Sequence, residues 1–138
     1  MINKYSISKA LYDNTKQVST ANGFLLIANG KAYTPSPNDV YVQEMTIYGD
    51  DNSVGIADNS SDIQMGIYQI NINTPKALTG GKWQGLQMVD IYQAGFSKGL
   101  ELTFNGQMLR IKSAKLSTMM QSDTHFIHIL SIAYSVIN

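Results

Sequence analysis

The sequence predicts an α+β fold: a mostly antiparallel or mixed β-sheet packed by an N-terminal helix and by a second helix over about residues 82–98. Apolar residues recur at helical spacing in those two stretches and alternate at strand spacing in several others. Two of the strand-like pieces are joined by an Asn-Gly pair, the short turn of an antiparallel hairpin.

Each element has its own signal. From Asn3 to Val18, residues Ile7, Ala10, Leu11 and Val18 share one helical face, Lys4, Lys9, Asp13 and Lys16 fall elsewhere, and Asn3 is a natural N-cap. The apolar run Phe24 to Ala28 is broken by Asn29-Gly30 and then by Pro35 and Pro37. Each proline fixes φ and removes an amide donor, which implies an extended loop or edge segment. Val40 to Tyr48 is rich in β-branched and aromatic residues and reads as a strand. Gly49 to Asp62 is dominated by Gly, Asn, Asp and Ser, and reads as a long flexible loop between two paired strands. Its likeness to a calcium loop fails at two ligands: counted from Asp50, Val54 takes the fifth position and Ser61 stands where a bidentate Glu belongs.

The next stretch, DIQMGIYQININTP, has an apolar pattern that changes phase. Met65 and Ile67 point one way, while Tyr68, Ile70 and Ile72 point the other. Side chains alternate strictly along a strand, so the change demands either a β-bulge or burial on different faces along its length. Thr74-Pro75 ends it. The second helix starts at Thr79 or the glycine pair, shows a stripe of Trp83, Leu86, Val89 and Tyr92 or Phe96, and stops at a Gly99 cap. Gly85 and Gly95 each cost a helix about 1 kcal/mol relative to Ala, which marks close backbone packing. Leu100, Leu102 and Phe104 alternate up to Asn105-Gly106, and Leu109 and Ile111 resume after it: a hairpin with a type I′ turn. Thr124 to Ile137 is apolar on both faces in its middle and is expected to be central in the sheet. There is no internal repeat or linker, so residues 1–138 read as one domain.

Composition narrows the functional classes. Hydrophobic residues make up 43% and charged residues only 14%, well below the usual quarter. A weakly charged surface is easier to desolvate against a neighbour. Ten basic and ten acidic residues cancel and the basic ones are spaced singly, so neither a broad phosphate-binding face nor sequence-specific nucleic-acid binding is expected. No apolar run reaches the ~20 residues that span a bilayer, and neither membrane association nor a secretion signal is expected. Cysteine is absent, which removes disulfides, thiolate metal sites and cysteine nucleophiles.

Catalytic chemistry is not evident. His125 and His128 are three apart, point to opposite faces of a strand, and are each expected to be satisfied strand histidines. Asp90, Glu44, Glu101 and the loop acids are scattered, whereas an acid–base pair needs fixed geometry within hydrogen-bond reach. Thr79 to Lys82, TGGK, opens a helix but lacks the spacing of a phosphate loop. Most of the seven methionines read as core filler, with Met119 and Met120 the candidates for an interface. No catalytic residue, metal or cofactor is assigned, and no enzyme activity is expected.

Taken in order, the elements form a series: the amphipathic helix, LIAN and its proline-bearing loop, YVQEMTIYGDD, the Gly49–Asp62 loop, MGIYQININTP, the glycine-started helix ending FSKG, the hairpin LELTFNGQMLRI and the strand THFIHILSIAY. Over about residues 39–137 this series resembles the tail terminator family of long-tailed bacteriophages. The resemblance implies a structural protein of the virion tail, assembled in the host cytoplasm. Its subunits form a ring, usually a hexamer, that caps the tail tube, ends tube polymerisation and gives the head-side connector a docking surface. The implied partners are further copies of the chain, the tube protein and the head–tail connector. On this reading Val54 and Ile56 anchor a loop that orders on assembly, and they join Tyr68, Met119 and Met120 as candidate subunit-interface residues. Other readings stay open: a head-closure subunit or tube protein, a small enzyme in which Glu44, Glu101 or Asp123 converges with His128, or a ligand-binding domain with a closed apolar cavity.

Overall fold

A computed structural model describes residues 3–48, 51–53, 62–76 and 80–137. The elements run α1 (Lys4–Asn22), β1 (Leu26–Ile27), β2 (Tyr41–Ile47), β3 (Asp51–Ser53), β4 (Asp62–Pro75), α2 (Gly81–Gly95), β5 (Glu101–Phe104), β6 (Gln107–Gln121) and β7 (His125–Ile137). The fold is α+β, as the sequence predicts. One seven-stranded sheet has the order β1-β2-β4-β7-β6-β5, with β3 paired to β4 beyond the end of β2. The β1–β2 pair is parallel and every other ladder is antiparallel.

Strands β4 and β7 lie at the centre and share the longest ladder of the sheet. Their register runs without a shift from Ile63↔Ile137 to Pro75↔His125. The change of phase in β4 is therefore not a bulge. Tyr68, Ile70 and Ile72 are fully buried on one face, and Met65 and Ile67 are exposed on the other. The register shifts fall instead in β6, between Ile111 and Ser113 and between Leu116 and Thr118.

Both helices cover the same face. Ile7, Ala10 and Leu11 of α1 and Met88, Val89 and Tyr92 of α2 share one core with Tyr68, Ile70, Ile72, Leu130, Ile132, Tyr134 and Val136 of the sheet. The Asn3 side chain caps α1 by accepting from the Ser6 amide at 3.1 Å. That helix continues past Val18 to Asn22. The Asn105-Gly106 turn has φ of 50° and 77°, as a type I′ hairpin requires.

Several expectations need correction. The second helix ends at Gly95, with the Phe96 amide bonding back to Tyr92 O and Gln93 O. Gly99 has a positive φ, but it serves the turn into β5, where its amide reaches Ile111 O at 2.8 Å. Trp83 is not part of the buried stripe: it is 62% exposed, and Gly81, Gly85, Met88 and Val89 take the inner face. The segment read as one loop from Gly49 to Asp62 contains a strand, since Asp51–Ser53 pairs with Asp62–Gln64. Residues 49, 50 and 54–61 of that segment, and Thr79 at the helix start, lie outside the described residues.

The helical glycines mark close approach, as expected. A Cβ at Gly85 would collide with the His128 ring, and one at Gly95 would sit 2.6 Å from Val18 Cγ2 of α1. Gly95→Ala is therefore expected to lower stability by about 1–3 kcal/mol despite its better helix propensity. Adding Val18→Ala should recover most of the loss. Urea denaturation of the single and double variants measures the coupling.

Candidate interaction surface

A sheet with both helices on one face must bury polar groups under them only where partners exist. The Tyr68 hydroxyl donates to Glu44 Oε1 at 3.1 Å and lies 2.9 Å from Thr15 Oγ1, whose single hydrogen is shared with Leu11 O. Glu44 Oε2 accepts the Asn29 amide at 2.6 Å. Next to this set, Ser19 Oγ lies 2.7 Å from the Tyr92 hydroxyl and donates to Thr15 O. Burial and the neighbouring Glu44 charge push the Tyr68 phenol well above its ordinary value, and burial raises Tyr92 to about 12. Both hydroxyls therefore stay protonated donors.

The acids proposed as partners for His128 are committed elsewhere. Glu44 is held by Tyr68 and Asn29, and Glu101 pairs with Arg110 at 2.7 Å. Asp123 lies in the β6–β7 connection, with no bond to His128. The two histidines do face opposite ways. His125 is satisfied, with Thr124 Oγ1 and Asp39 O each at 2.8 Å. His128 corrects the expectation. It is fully buried beneath Gly85, and neither ring nitrogen has a hydrogen-bond partner. The Thr74 hydroxyl, also on the inner face, lacks one as well. Burial and then the Lys82 charge push the His128 imidazole below its ordinary value, which keeps it neutral.

Among the described residues, no helix lies on the other face of the sheet. On it Met45 is 37% exposed, Ile47 45%, Met65 55% and Ile67 42%. These side chains are neighbours by register, since Met45 opposes Gln69 and Ile47 opposes Ile67. Ile47, Tyr48, Met65, Gly66, Ile67 and Ala133 line an open apolar depression there. At the opposite end of the same face, Met120 pairs with Ile127 and is 53% exposed. The depression lined by Glu101, Met108, Leu109, Arg110, Lys112 and Ser135 holds about 80 Å³. Larger ones, about 350 Å³ beside Ile47 and Met65 and about 570 Å³ along Asp13–Ala21 of α1, lie open at the surface.

The candidate interface residues fall in three places. Val54 and Ile56 lie outside the described residues. Tyr68 is buried, and its hydroxyl is used within the subunit. Met119 and Met120 are exposed near the end of β6. Met45, Ile47, Met65 and Ile67, which are exposed together, were not singled out from the sequence. The signal for them was the apolar phase change in β4.

A family model described as Phage tail terminator protein matches residues 6–134. The chain belongs to the phage tail terminator family. It is thus a structural protein of the bacteriophage tail. A solved protein carrying only a sequence label is 16% identical, with a TM-score of 0.76, over 99% of this chain and 96% of that one. A chain from the virion of a native gene transfer agent particle is 12% identical, with a TM-score of 0.58, over 96% of each chain. At these identities the likeness is one of fold. A comparison with curated protein sequences finds no match. For this terminator-family chain, an uncovered apolar sheet face is the natural place to look for assembly contacts.

Two outcomes follow from the buried groups. Tyr68→Phe leaves Glu44 short of a donor and should cost about 1–3 kcal/mol in urea denaturation, with the sheet retained by circular dichroism. His128 binds fewer protons folded than unfolded because its folded value is lowered. Its contribution to stability is therefore lost as pH falls below its ordinary value of about 6.5. Between pH 7 and 5 the melting temperature of the parent should fall more steeply than that of His128→Leu.

Proposed function

We propose that this chain is the subunit of a hexameric ring that caps the tail tube, ends tube polymerisation and gives the head-side connector its docking surface. What supports the reading, beyond family membership, is the outer face of the sheet. Met45, Ile47, Met65 and Ile67 stand exposed as a group on a face that none of the described helices covers. Soluble subunits rarely leave such a patch in water unless another surface meets it. Capping needs shape and adhesion and no bond chemistry, in keeping with a Glu44 spent on structural hydrogen bonds in the core and a Glu101 paired with Arg110 at the surface. The partners are further copies of the chain, the tube protein and the connector, met during assembly in the host cytoplasm.

A heterologous ring repeats one patch against a different patch until rotation closes it. Replacing Met65 and Ile67 together by Asp changes the outer face only, and should cost the subunit about 1–2 kcal/mol, too little to unfold it. Phage carrying that pair of substitutions should produce overlong, headless tails in negative-stain electron micrographs. Tails of normal length that fail to join heads would move the chain one step later, to a connector. Unchanged virions would end the capping reading.

A further inference from the structure

Among the described residues, the sheet has two edges that are only partly covered. β5 covers β6 only from Gln107 to Arg110, and the turn before β5 adds bonds at Ile111. Among the described residues, no strand lies beside Lys112–Gln121 on the side away from β7. At the other edge, β1 pairs with Val42 and Gln43 and the Asn29 amide just beyond it reaches the Glu44 side chain, so among the described residues Met45–Ile47 has no strand beside it on the side away from β4. Free edges are usually blunted by charge or bulges. The first half of the β6 edge is guarded in this way, by Lys112, Lys115 and the two register shifts. Beyond the second shift, Thr118–Gln121 has neither charge nor bulge, and it exposes Met119 and Met120.

We infer, resting on the ring reading above, that subunits join edge to edge: the free end of β6 in one copy pairs antiparallel with the free end of β2 in the next. Direction and symmetry select this occupant. The strands β2, β4, β7 and β6 are each antiparallel to the next, so β6 and β2 run opposite ways. A rotation about an axis along the strands preserves direction and brings β6 antiparallel against the neighbour's β2. The competing arrangement, two β6 edges related by a two-fold axis, closes at two copies and cannot extend into a ring. Along Glu44–Ile47 the one charged residue, Glu44, is buried within its own subunit, so the seam to β2 brings no second charge against the β6 edge. Met45 and Met120 lie on the same, helix-free face. Edge pairing therefore places Met120 beside the next copy's exposed Met45 and Ile47, and makes the apolar outer surface continuous around the ring.

The chain has no cysteine, so every thiol on the subunit is an introduced one, and blotting for the subunit against parent tails singles out its own cross-links. Purified phage tails carrying the double variant Met45→Cys/Met120→Cys, treated with a short bismaleimide, should yield covalent species larger than a dimer. Either single variant should yield none. Both positions are exposed, and matching circular dichroism of the free subunits checks that the fold is kept. Covalent dimers from Met120→Cys alone would show two-fold β6 pairing and overturn the inference. Tails that hold several copies by quantitative mass spectrometry yet give no covalent species would overturn edge pairing while leaving the ring intact. A single copy per tail would overturn both.

Discussion

The Tyr68 hydroxyl stands between Thr15 of α1 and Glu44 of β2, deep under the helical layer. In that low-dielectric layer a hydrogen-bonded set stabilises when complete and is costly when any member is missing. Its geometry therefore fixes more than itself. α1 must lie where Thr15 meets the phenol, and the segment after β1 must bring the Asn29 amide to Glu44. The apolar contacts around the set tolerate small shifts. The polar set does not, because its donors and acceptors work only near 3 Å. It sets where the helix sits on the sheet, and the Ser19–Tyr92 contact carries that placement across to α2.

With both helices committed to one side, the sheet is left bare on the other, and the phage tail supplies the context. The acids and the histidine that an enzyme reading needed are separated by the same architecture. Glu44 and Glu101 are each held within hydrogen bonds, and His128 lies alone under α2. The unpartnered imidazole is a local conflict of the kind a packed core holds only when its surroundings over-determine it. Gly85 is the residue that makes room for it.

What could be read from the sequence was whatever local chemistry decides. The Asn105-Gly106 turn follows from two residues able to adopt positive φ, and the Asn3 cap from one side chain reaching one amide. The phase change in β4 was visible too, but its cause was not, since alternation alone cannot tell a bulge from a change of face. Asp51–Ser53 looked like loop because Asp, Asn and Ser seldom favour strands. Its pairing with Asp62–Gln64 overrides that preference. Trp83 fell on an apolar stripe by spacing, yet it lies outside, because the glycines at positions 81 and 85 bring the helix backbone itself against the sheet. The Thr15–Tyr68–Glu44 set joins residues far apart in the chain, and no local pattern could have linked them.

The unshifted ladder between β4 and β7 and the two irregularities in β6 together give the subunit an uneven stiffness. Force applied along the strands loads every bond of the central ladder in shear at once, so the middle of the sheet behaves as a rigid stave. The bulged strand has fewer aligned bonds and extra local twist, and there the sheet can bend. In the proposed ring, a subunit built this way would keep its length along the strands and yield sideways within β6.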